Sequence, residues 1–273
     1  PYTHISSAAL MINGKIVAAA PEERFNRIKM STSFPFKAIE WCLKKENLKL
    51  KDMDLITVPW NPAININSAS SRWTNDLRWR GEMLSNIPIN LMKILDDQPS
   101  NYMKLSFNDL DVNYLNHHEC HAASAFFTSP FRNCDILTID GHGEKDTCFL
   151  GIGKNNDVKQ KSAIKYPHSV GLFYGTFTDF LGFKPDSDEW KVMALSSYAT
   201  KKNVYDKKIK KLFKLTKNGF ELDLSYFDFY TFDKRKNFFN EKFELLLGKK
   251  RVKNEKIMRN HYLIAGAMQR AFE

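Results

Sequence analysis

The sequence lacks several features that assign a chain to a class at once. Its 273 residues contain no run of eighteen apolar residues, so we expect no membrane-spanning helix. Neither a basic segment nor an apolar signal core opens the chain, which predicts a cytoplasmic protein. The four cysteines form no CxxC pair, and we therefore expect reduced thiols rather than disulfides.

A compact basic patch is also lacking, although the formal net charge is +10. The basic residues are spread over positions 44–51, 201–217 and 234–253, where they are typical of solvated helix faces. No nucleic-acid-binding signature accompanies them. A nucleic acid or another anionic partner therefore remains the lesser alternative. The hydrophobic content of 43% is enough for a sizeable core.

The residues that point most directly to chemistry are the stretch HHECH at 117–121 and the aspartate that ends an apolar strand, Asp140. On a helix, residues four apart share a face, so His117 and His121 converge while His118 points elsewhere. Together with Asp140 they can supply three ligands to one metal ion, where iron, manganese and zinc all suit the donor set. The alternative is that these are capping or core histidines. The spacing is not the HExxH of zinc proteases, so no metalloprotease is predicted.

Two passages of the chain share one order of predicted elements, with strands before a helix. The predicted strands are residues 7–13, 16–20, 54–58, 135–140, 147–153 and 158–164, and the predicted helices are 34–45, 169–181, 212–215, 238–247 and 261–272. Such a duplicated unit is the skeleton of the RNase H-like fold of actin, hexokinase and Hsp70. We therefore expect an α/β protein of two lobes, with a helical insertion at about residues 70–100.

Candidates for binding a cofactor or an anion lie in the turn after Asp140. Gly141 and Gly143 would let backbone amides approach a phosphate or carbamoyl oxygen, and Glu144 follows them. An ordinary hairpin turn with glycines is the alternative interpretation.

Two charged segments supply further candidates. Arg24 lies in the charged run at 22–29, where it can pair with acidic residues or meet an anion. Glu189 and Lys191 lie at the start of a predicted helix, where an acidic residue can serve as a cap alone. Lys191 is the functional candidate of this pair.

Together these segments resemble the NodU/CmcH-type O-carbamoyltransferases. The matching stretches follow family order over nearly the whole chain: HISSAAL at 4–10, EERFNRIK at 22–29, HHECHAASAF at 117–126, SPF at 129–131, LTIDGHGE at 137–144 and EWKVMAL at 189–195. The resemblance implies a domain similar to the Kae1/TsaD-type tRNA threonylcarbamoyl-transfer enzymes. Residues 1–130 would form its first lobe, and residues 131–273 would form the start of an incomplete second lobe with a helical insertion of its own.

The resemblance also implies a two-step reaction. A YrdC-like domain makes carbamoyl adenylate from carbamoyl phosphate and ATP, and the Kae1-like domain transfers the carbamoyl group to a hydroxyl of a sugar or natural product. Fe²⁺ is the implied metal, with His117, His121 and Asp140 as ligands. His4 and Lys29 would lie near the carbamoyl group and the acceptor. We expect the rest of the second lobe and the YrdC-like domain to be absent from this chain, which would then be inactive alone.

Two alternatives stay open. A Kae1/TsaD-like enzyme acting on tRNA would suit the basic charge. A degenerate, non-catalytic nucleotide-binding module would suit Ile5, Met30 and Ser196, which differ from the family pattern.

Overall fold

A computed structural model describes residues 5–59, 112–230 and 236–273, which form a mixed α/β protein. They fall into two compact units. One contains residues 5–58 and 112–114, and the other contains Pro59 and the described residues from Leu115 onward. The predicted insertion at 70–100 and the candidate His4 lie outside the described residues.

The N-terminal unit is a hairpin packed on an amphipathic helix. Its elements are β1 Ser7–Ile12, β2 Lys15–Pro21, α1 Glu23–Asn26, α2 Phe36–Lys45, β3 Ile56–Val58 and β4 Val112–Tyr114. The β1–β2 turn places Asn13 and Gly14 at φ 49° and 76°, which favours a tight antiparallel hairpin. Cys42 of α2 packs against Leu10 and Ala18 of the hairpin. The predicted strands and helix of this passage are confirmed, and β3 pairs in parallel with β4.

The second unit begins with a helix on a three-stranded antiparallel sheet. Its first elements are α3 His117–Phe127, β5 Asn133–Ile139, β6 Asp146–Lys154, β7 Asp157–Lys165, α4 Val170–Phe180 and α5 Glu189–Ser196. The strands are ordered β5–β6–β7. Phe126 of α3 is buried against Ile136 of β5 and Phe149 of β6. This packing holds the histidine-bearing helix beside the strand that ends just before Asp140.

The largest core of the second unit is aromatic and surrounds α4. The remaining elements are α6 Val204–Ile209, β8 Phe213–Thr216, β9 Gly219–Leu222, α7 Glu241–Leu247 and α8 Arg259–Phe272. Phe177 and Phe180 of α4 are fully buried, and each packs against the ring of Phe243 with centroids 5.3 Å apart. This core fixes the start of α4, which lies next to Asp140.

The predicted helix at 212–215 is wrong, because these residues enter a hairpin. Lys217 and Asn218 form its turn, Thr216 pairs with Gly219, and Gly219 has φ 139°, which favours glycine. The helix predicted at 238–247 begins only at Glu241, where the Asn240 side chain accepts a hydrogen bond from the Lys242 amide. The C-terminal helix is confirmed as α8.

Strands precede a helix in both units, as the sequence predicts. The finer assignment to a duplicated RNase H-like fold stays a prediction. Among the described residues, no helix combines the length and the apolar character needed to cross a membrane.

Candidate metal centre

The candidate metal centre starts from the first turn of α3. Asn116 precedes the helix in an extended conformation, and its side chain makes no capping hydrogen bond. The buried carboxylate of Glu144 takes that role, because both of its oxygens accept from the His117 amide at 3.0 and 3.2 Å. A helix start leaves amide donors unpaired and favours negative charge. Glu144 therefore anchors the turn that carries His117.

The backbone around Asp140 aims one carboxylate oxygen at α3. The Asp140 amide donates to the Thr147 carbonyl at 3.0 Å. The Gly141 amide donates to Oδ1 of Asp140 at 2.6 Å, so Oδ2 is left to face the histidines. The Ser169 hydroxyl donates to the Gly141 carbonyl at 2.6 Å and connects this turn to α4.

Three ligand atoms converge between α3 and the end of β5. Oδ2 of Asp140 lies 2.8 Å from Nε2 of His117 and 3.1 Å from Nε2 of His121. The two Nε2 atoms are 3.0 Å apart. Among the described residues, these three side chains form a group whose ligand atoms are close enough together to hold a metal ion. The predicted trio is therefore brought together.

The electrostatics of the trio follow from these contacts. The hydrogen bond to Asp140 raises the pKa of His117, although burial opposes the shift. Burial alone would raise the pKa of Asp140, but the hydrogen bonds from His117, His121 and the Gly141 amide hold it well below its usual range. A carboxylate that stays ionised is a suitable partner for a cation.

A backbone carbonyl orients the first histidine. The carbonyl of Pro59 accepts a hydrogen bond from the His117 ring and also raises its pKa. Since Nε2 faces Asp140, the donor is the other ring nitrogen. Metal-binding histidines commonly donate their second N–H to a carbonyl or carboxylate, because this fixes the tautomer and the ring orientation.

The neighbours of the trio on α3 have other surroundings. His118 is buried, its Nδ1 contacts the Thr138 hydroxyl, and burial lowers its pKa. Cys120 is half-buried, and burial raises the pKa of its thiol to about 11. A thiol that stays protonated is a poor metal ligand. As predicted from helical spacing, His118 points away from the pair formed by His117 and His121.

The two glycines after Asp140 differ in their surroundings. A Cβ added at Gly143 would lie 3.0 Å from Cδ2 of His118 and 3.2 Å from Cβ of His117, whereas one at Gly141 would meet nothing within 4 Å. Gly143 thus permits the turn to pack on α3. Sequence reasoning missed Gly171 of α4, whose Cβ would lie 2.7 Å from the Gly141 amide nitrogen. Its position two residues after the capping Ser169 was the available signal.

The charged candidates lie on both units. Arg24 and Lys29 are exposed in the N-terminal unit. In the second unit, Lys191 pairs with Asp188 at 2.9 Å, and Glu189 accepts from the Asp186 amide at 2.7 Å. The binding roles of all four, like those of Gly141, Gly143 and Glu144, stay predictions.

The α/β framework and the His-His-Asp cluster define a protein with a candidate metal centre. The family model described as "Carbamoyltransferase N-terminus" matches residues 1–273. The chain therefore belongs to the carbamoyltransferase N-terminal family.

Individual relatives share this similarity over most of the chain. The uncharacterized protein sll1178 of Synechocystis is 35% identical over 84% of the chain and 39% of its own length. The nodulation protein NolNO of Sinorhizobium fredii is 30% identical over 72% of the chain and 28% of its own length. The uncharacterized protein MJ1051 of Methanocaldococcus jannaschii is 30% identical over 71% of the chain and 32% of its own length. The chain thus spans between a quarter and two fifths of these relatives.

Proposed function

We propose that this chain supplies the metal-binding part of an O-carbamoyltransferase. In this proposal His117, His121 and Asp140 hold a divalent metal ion at which a carbamoyl group is transferred to a hydroxyl. The observation that carries it is the convergence of two imidazole nitrogens and one carboxylate oxygen within 3.1 Å of one another. Membership of the carbamoyltransferase N-terminal family supports the reaction class.

The donor set fits a cation. Two imidazole Nε2 atoms at 3.0 Å repel through their lone pairs unless a proton or a metal ion lies between them. When His117 is neutral, the hydrogen bond from its ring to Pro59 leaves the lone pair of Nε2 facing the cluster. A metal ion would therefore use ring nitrogens that are already oriented.

The donor types suit Fe²⁺. Two histidines and one carboxylate with further positions open are typical of Fe²⁺ sites in proteins. We therefore propose Fe²⁺ as the ion that His117, His121 and Asp140 would hold.

The chemistry of the proposed reaction divides between the metal and the chain. The bound ion would polarise the carbamoyl carbonyl or accept an adenylate phosphate oxygen. His4 would accept the proton of the acceptor hydroxyl, and Lys29 would balance anionic charge. Arg24, Glu189 and Lys191 are proposed to contact the nucleotide, together with the turn at 141–144.

The activated carbamoyl group is proposed to be carbamoyl adenylate, made from carbamoyl phosphate and ATP. A YrdC-like domain would make it, and this domain is the proposed partner of the chain. The acceptor would be a small molecule with a free hydroxyl.

Metal content tests the proposed centre. The purified protein, loaded with Fe²⁺ without oxygen and desalted, should retain stoichiometric iron. His117→Ala and His121→Ala should lose it, whereas Cys120→Ser on the same helix should retain it. Unchanged iron content in either histidine variant would contradict the assignment. Loss of iron in Cys120→Ser would show that the Cys120 thiolate is also a ligand.

The acceptor class is tested by turnover in a protein that includes the YrdC-like domain. Labelled carbamoyl phosphate and ATP should give an O-carbamoyl product with a sugar or natural-product hydroxyl. The net charge of +10 favours a tRNA-directed enzyme as the second candidate. Label transferred to tRNA alone would replace the first proposal by the second, and nucleotide binding without turnover would favour the non-catalytic module.

A further inference from the structure

A small cavity lies under the first turn of α3. Its lining includes His118 from the helix, Glu144 and Asp146 from the turn and the start of β6, and Phe149 and Gln160 from the sheet. The cavity has a volume of about 10 Å³. That volume holds about one water molecule.

Two buried polar atoms belong to side chains that line this cavity. His118 is 3% exposed and Asp146 is 7% exposed. Within the part of the chain that the structure describes, neither Nε2 of His118 nor Oδ1 of Asp146 has a hydrogen-bond partner. A buried polar atom without a partner is costly, and a water molecule in a polar cavity is the usual remedy.

The other polar atom of each side chain is already bonded. Nδ1 of His118 contacts the hydroxyl of Thr138 in β5. Oδ2 of Asp146 accepts from the Gln160 amide at 3.1 Å. Neither side chain can rotate to give its unpaired atom another partner without breaking one of these bonds. The ring of His118 is also confined by Gly143, where even one added carbon would lie 3.0 Å from Cδ2.

We propose that one water molecule occupies this cavity, accepts a hydrogen bond from Nε2–H of His118 and donates one to Oδ1 of Asp146. The Thr138 hydroxyl then donates to Nδ1 of His118. The chain of bonds runs from β5 through the imidazole and the water to β6. Every donor in it faces an acceptor, and this direction of the bonds gives His118 the neutral Nε2–H tautomer.

His118 is thereby a positioning residue for the metal centre. It lies between His117 and His121 in the sequence, and its Nδ1 contacts Thr138 rather than the cluster, so its bonds to two strands fix the rotation of α3 about its axis. A small rotation would move both ligand nitrogens relative to Asp140. This second part rests on the proposed function, while the water and the tautomer do not.

The first experiment uses the wild-type protein without metal. Long-range ¹H–¹⁵N correlation spectra of histidine-labelled protein report the tautomer, and His118→Gln identifies the signal. We expect the Nε2–H form, and a crystal structure should show one water within hydrogen-bond distance of both atoms. The Nδ1–H form, or a dry cavity, would overturn the proposal.

The second experiment uses two matched variants. The amide of Gln reaches the position of Nε2, and the amide of Asn reaches that of Nδ1, so His118→Gln keeps the donor to the water and His118→Asn loses it. The Co²⁺ dissociation constant should rise about tenfold in the Asn variant and less than about threefold in the Gln variant. The Co²⁺ absorption spectrum should change in the Asn variant alone.

Equal weakening in both variants would show that the water bond does not position the ligands. If the wild-type protein bound no Co²⁺, the metal centre would fail, and the tautomer and the crystal structure would still decide on the water. A variant that does not fold leaves the wild-type experiment intact.

Discussion

The contact between Glu144 and the start of α3 makes a sharp prediction about both stability and metal affinity. In Glu144→Ala, the His117 amide loses the acceptor that it now finds at 3.0 Å. Removing a helix cap costs about 1 kcal/mol, and a buried amide without a partner costs about 1–3 kcal/mol. Both figures describe the same bond, so they are not added. Because the carboxylate is buried, we expect the free energy of unfolding to fall by about 2 kcal/mol.

For a protein of 273 residues, that loss lowers Tm by about 3–4 °C. The same bond holds a ligand-bearing turn, so the dissociation constant for Co²⁺ should rise about tenfold. Thermal unfolding followed by circular dichroism and a competition titration measure the two effects. Glu144→Gln should be milder than the Ala variant, because its amide oxygen can still accept from the His117 amide.

The matched control is Glu119→Ala, in the same first turn of α3. Glu119 is exposed, so its loss removes a similar charge but not the cap. Tm and Co²⁺ affinity should change much less than in Glu144→Ala. If both variants behaved alike, Glu144 would not hold the helix, and a role in nucleotide binding alone would be the better interpretation.

Three further predictions follow from the surroundings of the site. Gly143→Ala should cost about 1–3 kcal/mol, because its Cβ would lie 3.0 Å from a ring carbon of α3. Gly141→Ala, with nothing within 4 Å, should leave Tm nearly unchanged. In the metal-free protein, Asp140→Asn should lower Tm more at about pH 5.5 than at about pH 8.5. The raised pKa of His117 contributes stability below about pH 6.5, which is lost as the pH rises through the folded pKa. The lowered pKa of Asp140 contributes stability above about pH 3.9, and this stability is lost as the pH falls through the folded pKa. Phe243→Ala should cost about 3–5 kcal/mol, since the ring is fully buried.

Each of these has a contrary outcome. Equal losses of Tm in the two glycine variants would mean that close packing on α3 does not explain Gly143. An Asp140→Asn effect that grows with pH in the metal-free protein would contradict the hydrogen bond to a charged His117. With Fe²⁺ bound, Asp140→Asn should lower Tm more at about pH 8.5 than at about pH 5.5, because metal binding requires neutral imidazoles. A cost of less than about 1 kcal/mol in Phe243→Ala would contradict the close packing of this ring in the aromatic core.

Local patterns predicted much of the structure because they record burial and backbone geometry directly. The strands predicted at 7–13 and 16–20 pair as the first hairpin, and the four-residue spacing of His117 and His121 placed their nitrogens on one side of α3. The helix predicted at 212–215 failed because a short apolar run fits a strand equally well. The turn before Gly219 decided it.

The role of Glu144 could not be found from its neighbours in sequence. It is 27 residues from His117, and only the return of the chain after β5 brings its carboxylate to the start of α3. The pairing of His118 with Thr138, and the cavity shared with Asp146, have the same origin. Such contacts carry no periodic signal.

The sequence by itself therefore determined the donor types of the candidate metal centre and the elements that carry them, because helical spacing and a strand end are local properties. The tertiary structure alone decided which atoms meet. It brought Oδ2 of Asp140 within 3.1 Å of both imidazoles and placed a buried carboxylate at the helix start. The physical reason is that these contacts depend on how α3 packs on β5 and β6. Buried apolar side chains that are distant in sequence, Phe126, Ile136 and Phe149, determine that packing.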